Sequence, residues 1–182
     1  MAKKQFFAIL DTETTMENTV ADMAIIIVDR KGIIHNQCAV MVKDHYDAFE
    51  LFHDIRMLAS VNAIIKWIDQ AIGKYNPELT AYNLAFDLDK CEKTGINLEG
   101  FKSKFCLWQA AVGNICNTKP YKQFVLDNHG FNNKTQYGNM TAKTNAEIVA
   151  GFISGEFKEE PHTALEDSRD FELPILCEIL KN

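Results

Sequence analysis

The sequence predicts an α/β fold in which a mixed sheet, antiparallel at its start and parallel further on, is flanked by helices. Three observations predict it. Apolar runs at residues 23–28 and 33–42 are joined by Asp29-Arg30-Lys31-Gly32, a hairpin turn with glycine where positive φ is needed. From Val61 the apolar spacing changes to the three-or-four period of a helix. Short strand-like runs then stand on either side of a second helical stretch, which suggests a parallel crossover, because parallel neighbours need a long connection.

Residues 5–10 read as the first strand. The run 23–28 is nearly all apolar and rich in isoleucine, and with 33–42 it completes an antiparallel meander. Val61, Ile64, Ile65, Ile68, Ile72 and Tyr75 lie on one face of an amphipathic helix that ends near Asn76-Pro77. A short strand follows at 79–82, a helix at 84–93 closed by Gly95, and a further strand at 105–108. From Leu107 onward the pattern is helical with polar interruptions, among them the Asn/Lys/Gly-rich stretch 132–139, which reads as a loop. A short helix is expected at 145–152, a connector at 155–161, and a last helix from Thr163 that Pro174 should kink or interrupt.

With 182 residues and 47% hydrophobic content, the chain suits a single domain, residues 1–182, with a full core. The apolar run 6–10 falls short of a secretory signal, and no stretch approaches the ~20 apolar residues of a membrane span, so a soluble, cytoplasmic protein is expected. Five cysteines, at 38, 91, 106, 116 and 177, are odd in number and form no Cys-x-x-Cys pair. Neither a disulfide framework nor a zinc ribbon is supported. A net charge of -6 argues against a protein wrapped in nucleic acid. Its distribution says more. Between 101 and 145, Lys102, Lys104, Lys119, Lys122, Lys134 and Lys143 face Asp127 alone, a formal +5 that leaves -11 elsewhere. Such a region could track phosphates or be a solvated face. Tyr121, Phe124, Phe131 and Tyr137 interleave with the lysines, open to base stacking or to core packing.

Three acidic clusters share a placement. Asp11 and Glu13 are two apart at the end of the first strand and project to one face. In Asn83-Leu84-Ala85-Phe86-Asp87 a buried strand gives way to a helix, and an acid arrives within its first turn. In His162-Thr163-Ala164-Leu165-Glu166-Asp167, Thr163 and Glu166 fit a capping box, which puts Asp167 in the first turns of a rigid helix and His162 on the loop before it. A fixed carboxylate and a movable imidazole suit a metal-assisted hydrolase. Four carboxylates suit Mg²⁺ or Mn²⁺ rather than zinc, and a pair of ions ~4 Å apart stabilises the attacking and leaving oxygens of a phosphoryl displacement.

Asp11-x-Glu13-Thr14, Asn83-x-x-Phe86-Asp87 and His162-x-x-x-x-Asp167, in that order, resemble the three signature motifs of the DnaQ-like 3′-5′ exonucleases of the DEDDh subgroup. The motifs span nearly the whole chain, and the closing His-Thr-Ala-Leu-Glu-Asp-Ser-Arg-Asp is similar to small bacterial and phage-encoded members. The resemblance implies a ribonuclease H-like fold with a five-stranded mixed sheet. It implies two metal ions on Asp11, Glu13, Asp87 and Asp167, His162 as general base, and release of 5′-mononucleotides from single-stranded 3′ ends. Thr14 would seat the terminal nucleotide, with Asn83 and Phe86 shaping the pocket beside it. Where a common form of the first motif continues Thr-Thr-Gly-Leu, this chain reads Thr14-Thr15-Met16-Glu17, so the apolar wedge beneath the terminal base falls to Met16.

Asp89 and Asp170 are the nearby rivals for the ligand roles, Asp170 the more serious because it is nearly a turn beyond Asp167. His35, His45, His53 and His129 have no motif context and are assigned to structure or surface. DNA is favoured over RNA because no separate RNA-binding module is visible, with an exoribonuclease, RNase T-like or oligoribonuclease-like, as the enzymatic alternative. A noncatalytic subunit that binds nucleic-acid ends is the alternative from another class. A homodimer or a replication or repair partner is compatible with the family.

Overall fold

The apolar runs at the start of the chain pair with one another. In the computed structural model, which describes residues 5–45, 57–128, 132–134, 138 and 140–181, β1 (Phe6–Thr14), β2 (Val20–Asp29) and β3 (Ile34–Val42) form the expected antiparallel meander. β2 is buried along nearly its whole length, which is why its sequence is apolar without alternation. The β2–β3 turn is held by Asp29, whose Oδ1 accepts the N–H groups of Lys31 and Ile33 at 2.8 and 3.0 Å. Gly32 stands there at φ +80°, where a Cβ would also lie 2.7 Å from the Cys177 sulfur.

β4 (Met57–Ala59) pairs parallel with β3 and makes the sheet six-stranded rather than five-stranded. Three residues with Met57 and Leu58 exposed leave no burial pattern for a sequence to reveal. α1 (Val61–Tyr75) is capped by Ser60, whose hydroxyl accepts from Ala63 N–H, and it ends at Asn76 in the left-handed conformation. β5 (Glu78–Ala81) lies parallel to β1, α2 (Leu84–Thr94) ends at Gly95, and β6 (Lys104–Cys106) lies parallel to β5. The sheet order is β4-β3-β2-β1-β5-β6.

Alternation along β1 divides the core. Ala8 and Leu10 face α1 and α2, against Ile64, Ile68 and Leu84. Phe7 and Ile9 face the helices of the second half. Those are α3 (Leu107–Ala111), which runs into a π-helical turn at Val112–Cys116, α4 (Lys119–Asp127), α5 (Ala146–Ser154), α6 (Ala164–Glu166) and α7 (Leu173–Leu180). Helices therefore cover both faces of the sheet.

Further differences from expectation bear on the site. β1 does not stop before its acids but carries them within the strand as far as Thr14. The stretch 132–139 is not simply a loop, for β7 (Asn132–Lys134) pairs antiparallel with β8 (Met140–Ala142). The strand expected at 105–108 ends at Cys106, and Trp108 belongs to α3. The interruption expected near Pro174 takes the form of a π-helical segment, Asp167–Glu172, between α6 and α7. Proline has no N–H to continue an α-helical ladder, and Pro174 stands in the first turn of α7. No described helix is long and apolar enough to cross a membrane, and all five cysteines are free thiols.

Candidate metal centre

The acids converge at the end of β1. Asp11 and Glu13 project from the face that also bears Phe7 and Ile9, toward α6 and the π segment. Thr12, on the opposite face, donates its hydroxyl to Asp87 Oδ1 at 2.8 Å. That bond fixes the buried carboxyl of the second motif against the strand of the first. Asp87 sits in the first turn of α2, and its own N–H bonds the Asn83 carbonyl.

The third motif is anchored from far away. Asp22, which faces Glu13 across the β1–β2 ladder, accepts the Ala164 N–H with Oδ2 at 3.0 Å. The Thr163 hydroxyl makes no cap and has no partner among the described residues. The capping box therefore does not form, and the distant carboxylate satisfies a different orphan amide, that of the first helical residue. Asp167 N–H bonds the Thr163 carbonyl at 2.9 Å, and its side chain is buried. His162 precedes this turn with φ +56°, a conformation that a side chain seldom adopts, and its ring is exposed. The bend brings one ligand atom each of Glu13, His162 and Asp167 within 4.8 Å of one another.

Electrostatics here are those of buried acids that face one another. Asp11 Oδ2, Asp167 Oδ1 and Glu172 Oε2 are buried with no hydrogen-bond partner among the described residues. Burial, then the charges of Asp87, Glu13 and Asp167, holds the Asp11 carboxyl well above the usual range. Burial pushes Asp87 up to about 7 against the opposing Thr12 hydrogen bond, and burial with Glu160 and Glu13 pushes Asp167 up to about 8. Glu172 is raised well above its ordinary value by burial and then by Asp11 and Asp87, while its Oε1 accepts Tyr82 N–H at 2.9 Å.

The rivals are occupied elsewhere. Asp89 binds Lys90 and Lys93 at 3.1 and 2.7 Å, and Asp170 is exposed and gripped by both arms of Arg169 at 2.8 Å. The remaining motif residues are more open. Thr14 is half-buried beyond a register shift in β1, Met16 is 93% exposed, Asn83 is exposed with its side chain making no cap, and Phe86 is 42% exposed with the Lys90 ammonium 4.7 Å from its ring centre. Tyr121 and Phe124 pack in or against the core, while Phe131, Tyr137, His53 and His129 lie outside the described residues.

Sequence reading missed Glu160 and Glu172. Glu160, on the connector before His162, is raised by burial and then by Glu147, with Glu13 adding to the shift and His162 opposing it. Glu172 stands five residues after Asp167, on the far side of an ordinary helix, and only the π segment brings it round to the same side. Buried oxygens without protons to accept, on several carboxyls that oppose one another's ionisation, fit a divalent cation that takes oxygen ligands. No protein-family model matches the chain, and no curated protein matches it.

Proposed function

We propose that this chain is a metal-dependent 3′-5′ exonuclease of the DEDDh type on a ribonuclease H-like sheet, acting on single-stranded DNA ends. The observation that carries the reading is that acids of three distant motifs, Asp11, Glu13, Asp87 and Asp167, come close enough to oppose one another's ionisation, with one buried oxygen each of Asp11 and Asp167 lacking a hydrogen-bond partner among the described residues, beside an exposed histidine. Asp11, Glu13, Asp87 and Asp167 would hold two Mg²⁺ or Mn²⁺ ions. When bound, such ions supply charge to stabilise the attacking and leaving oxygens of a phosphodiester.

The chain's own residues do the rest. Thr12 holds the Asp87 carboxyl in place from the far face of β1. His162, in reach of Glu13 and Asp167 and open to solvent, takes the proton from the attacking water. Met16 and Phe86 offer exposed apolar surface to the terminal nucleotide.

The test is cleavage of a 5′-labelled single-stranded DNA oligomer, with a matched RNA beside it, in Mg²⁺, in Mn²⁺ and in EDTA. A ladder that shortens from the 3′ end only with metal, faster on DNA, is expected. Absence of cleavage of either strand by folded, metal-bound protein would overturn the reading in favour of a protein that only binds ends.

A further inference from the structure

Beside the acids lies a cleft of about 500 Å³ lined by Tyr82, Asn83, Trp108, Lys143, Thr144 and Asn145. It adjoins the second motif at Asn83, the residue that opens α2 ahead of Asp87. Its walls are fastened from within. The fully buried Tyr121 donates its hydroxyl to the Lys143 carbonyl at 2.6 Å, and the Tyr82 hydroxyl donates to the Thr144 carbonyl. With both carbonyls taken by groups in the protein, the segment 143–145 is held at a fixed height.

Trp108 is fixed to the same segment. Its backbone N–H donates to the Tyr82 carbonyl at 3.0 Å, and its indole Nε1–H donates to Thr144 Oγ1 at 2.9 Å. Yet 41% of the residue is exposed. Tryptophan is highly buried on average, and at a surface its indole N–H is what water would satisfy. Here that group is already satisfied by the protein, so what Trp108 presents outward is aromatic surface held in place. Lys143 brings a positive charge and Asn83 an amide to the same cleft, while Asn145 donates its Nδ2 to Glu147 Oε1 at 2.6 Å and leaves its amide oxygen there; Trp108 and Lys143 belong to the region of the chain that carries +5 within an acidic protein. Aromatic surface, a cation and amide groups together match a base with its phosphate.

We infer that this cleft is a stacking subsite for a nucleobase of single-stranded nucleic acid, with Trp108 as its platform. The inference rests on the exonuclease reading and deepens it. Stacking is tolerant of sequence because every base has a π face, so the subsite grips the strand without selecting a base.

The chain has two tryptophans, and Trp67 packs against the α1 side of the core, so Trp67→Phe leaves Trp108 as the only indole emitter. That variant is titrated with a fluorescein-labelled hexanucleotide bearing phosphorothioate linkages at its 3′ end, with binding followed by anisotropy and the indole by its emission on the unlabelled strand. Saturable quenching with the Kd given by anisotropy is expected. In the otherwise unchanged chain, Trp108→Ala should raise Kd about tenfold and Trp108→Phe should recover most of it. Binding by anisotropy without quenching, or an unchanged Kd in a folded Trp108→Ala protein, would overturn the subsite and leave the exonuclease reading standing. No binding together with no metal-dependent ladder would remove both.

Discussion

The two ends of the β1–β2 ladder carry the same residue type in opposite circumstances. At one end Phe6 pairs with Asp29, and at the other Glu13 pairs with Asp22 beside Asp11, Asp87 and Asp167. Asp29 is supplied with partners, accepting the His35 ring at 3.0 Å and two backbone N–H groups. The His35 hydrogen bond, then that of Ile33, holds its carboxyl below the ordinary range. At the other end burial and mutual repulsion hold the carboxyls above it. Asp29 is accounted for by its own fold, as the anchor of a turn. In the opposite cluster burial and neighbouring acids, not a turn, set the state of the carboxyls, and a cation bound as proposed would relieve that repulsion.

The largest expected effect comes from breaking the cluster itself. On the proposed reading, Asp11→Ala or Asp167→Ala should lower the rate of 3′ shortening by ~10³-fold or more, each removing a carboxylate proposed to hold metal, as single-turnover cleavage would show. His162→Ala should cost less, roughly 10²-fold, and Mn²⁺ titration by calorimetry should find its metal binding intact. A loss of metal binding in that variant would make His162 a ligand rather than the base.

A smaller effect separates the two ends by pH. An unfolded aspartate gives up its proton near ~4, whereas folded Asp167 holds one up to about 8 and Asp87 up to about 7. Between those values the native state binds more protons than the unfolded one, so the metal-free protein should lose stability as pH rises from 5 to 9. Mg²⁺ should flatten that slope, and Asp167→Asn should raise the melting temperature of the metal-free protein at pH 8 while ending activity. Asp29 has the reverse sign, since a lowered carboxyl stabilises above its unfolded value and the gain fades as pH falls through its folded one. Asp29→Asn should therefore lower the melting temperature at pH 7, by an amount that shrinks as the pH falls below the ordinary carboxylate range. The smallest effect is expected from Asp170→Ala, which should cleave at the normal rate, because Asp170 is engaged by Arg169 at the surface.

Much of the frame was legible because it follows from local pattern. The meander, the turn at Gly32, α1 and the crossover through α2 all come from periodicity and turn chemistry that act over a few residues. β4 was not legible, since its pairing with β3 is made by backbone atoms and its side chains are largely exposed. In the candidate site, Asp11, Glu13, Asp87 and Asp167 stood out by their place at strand ends and helix starts and by the motifs they resemble, but what holds them did not. Thr163 looks like a cap and makes no cap bond, while Asp22, 142 residues away, takes the neighbouring Ala164 amide. Glu172 follows a helical pattern that the π segment alters. Trp108 gave no signal, because its exposure depends on partners at Tyr82 and Thr144 that no local pattern links to it.

The bond from Asp22 to Ala164 has a further consequence for the order in which the chain acquires its properties. The β1–β2 ladder is built from neighbours in sequence and can close early, whereas the turn that presents Asp167 must wait for a segment near the other end of the chain. During synthesis a folded sheet would therefore emerge with its first acids already in register and no third motif to meet them. Hydrogen exchange during refolding should find the Ile25 and Ile26 amides protected before that of Ala164, and the capacity to bind metal tightly should arrive with Ala164, as the last thing the chain gains.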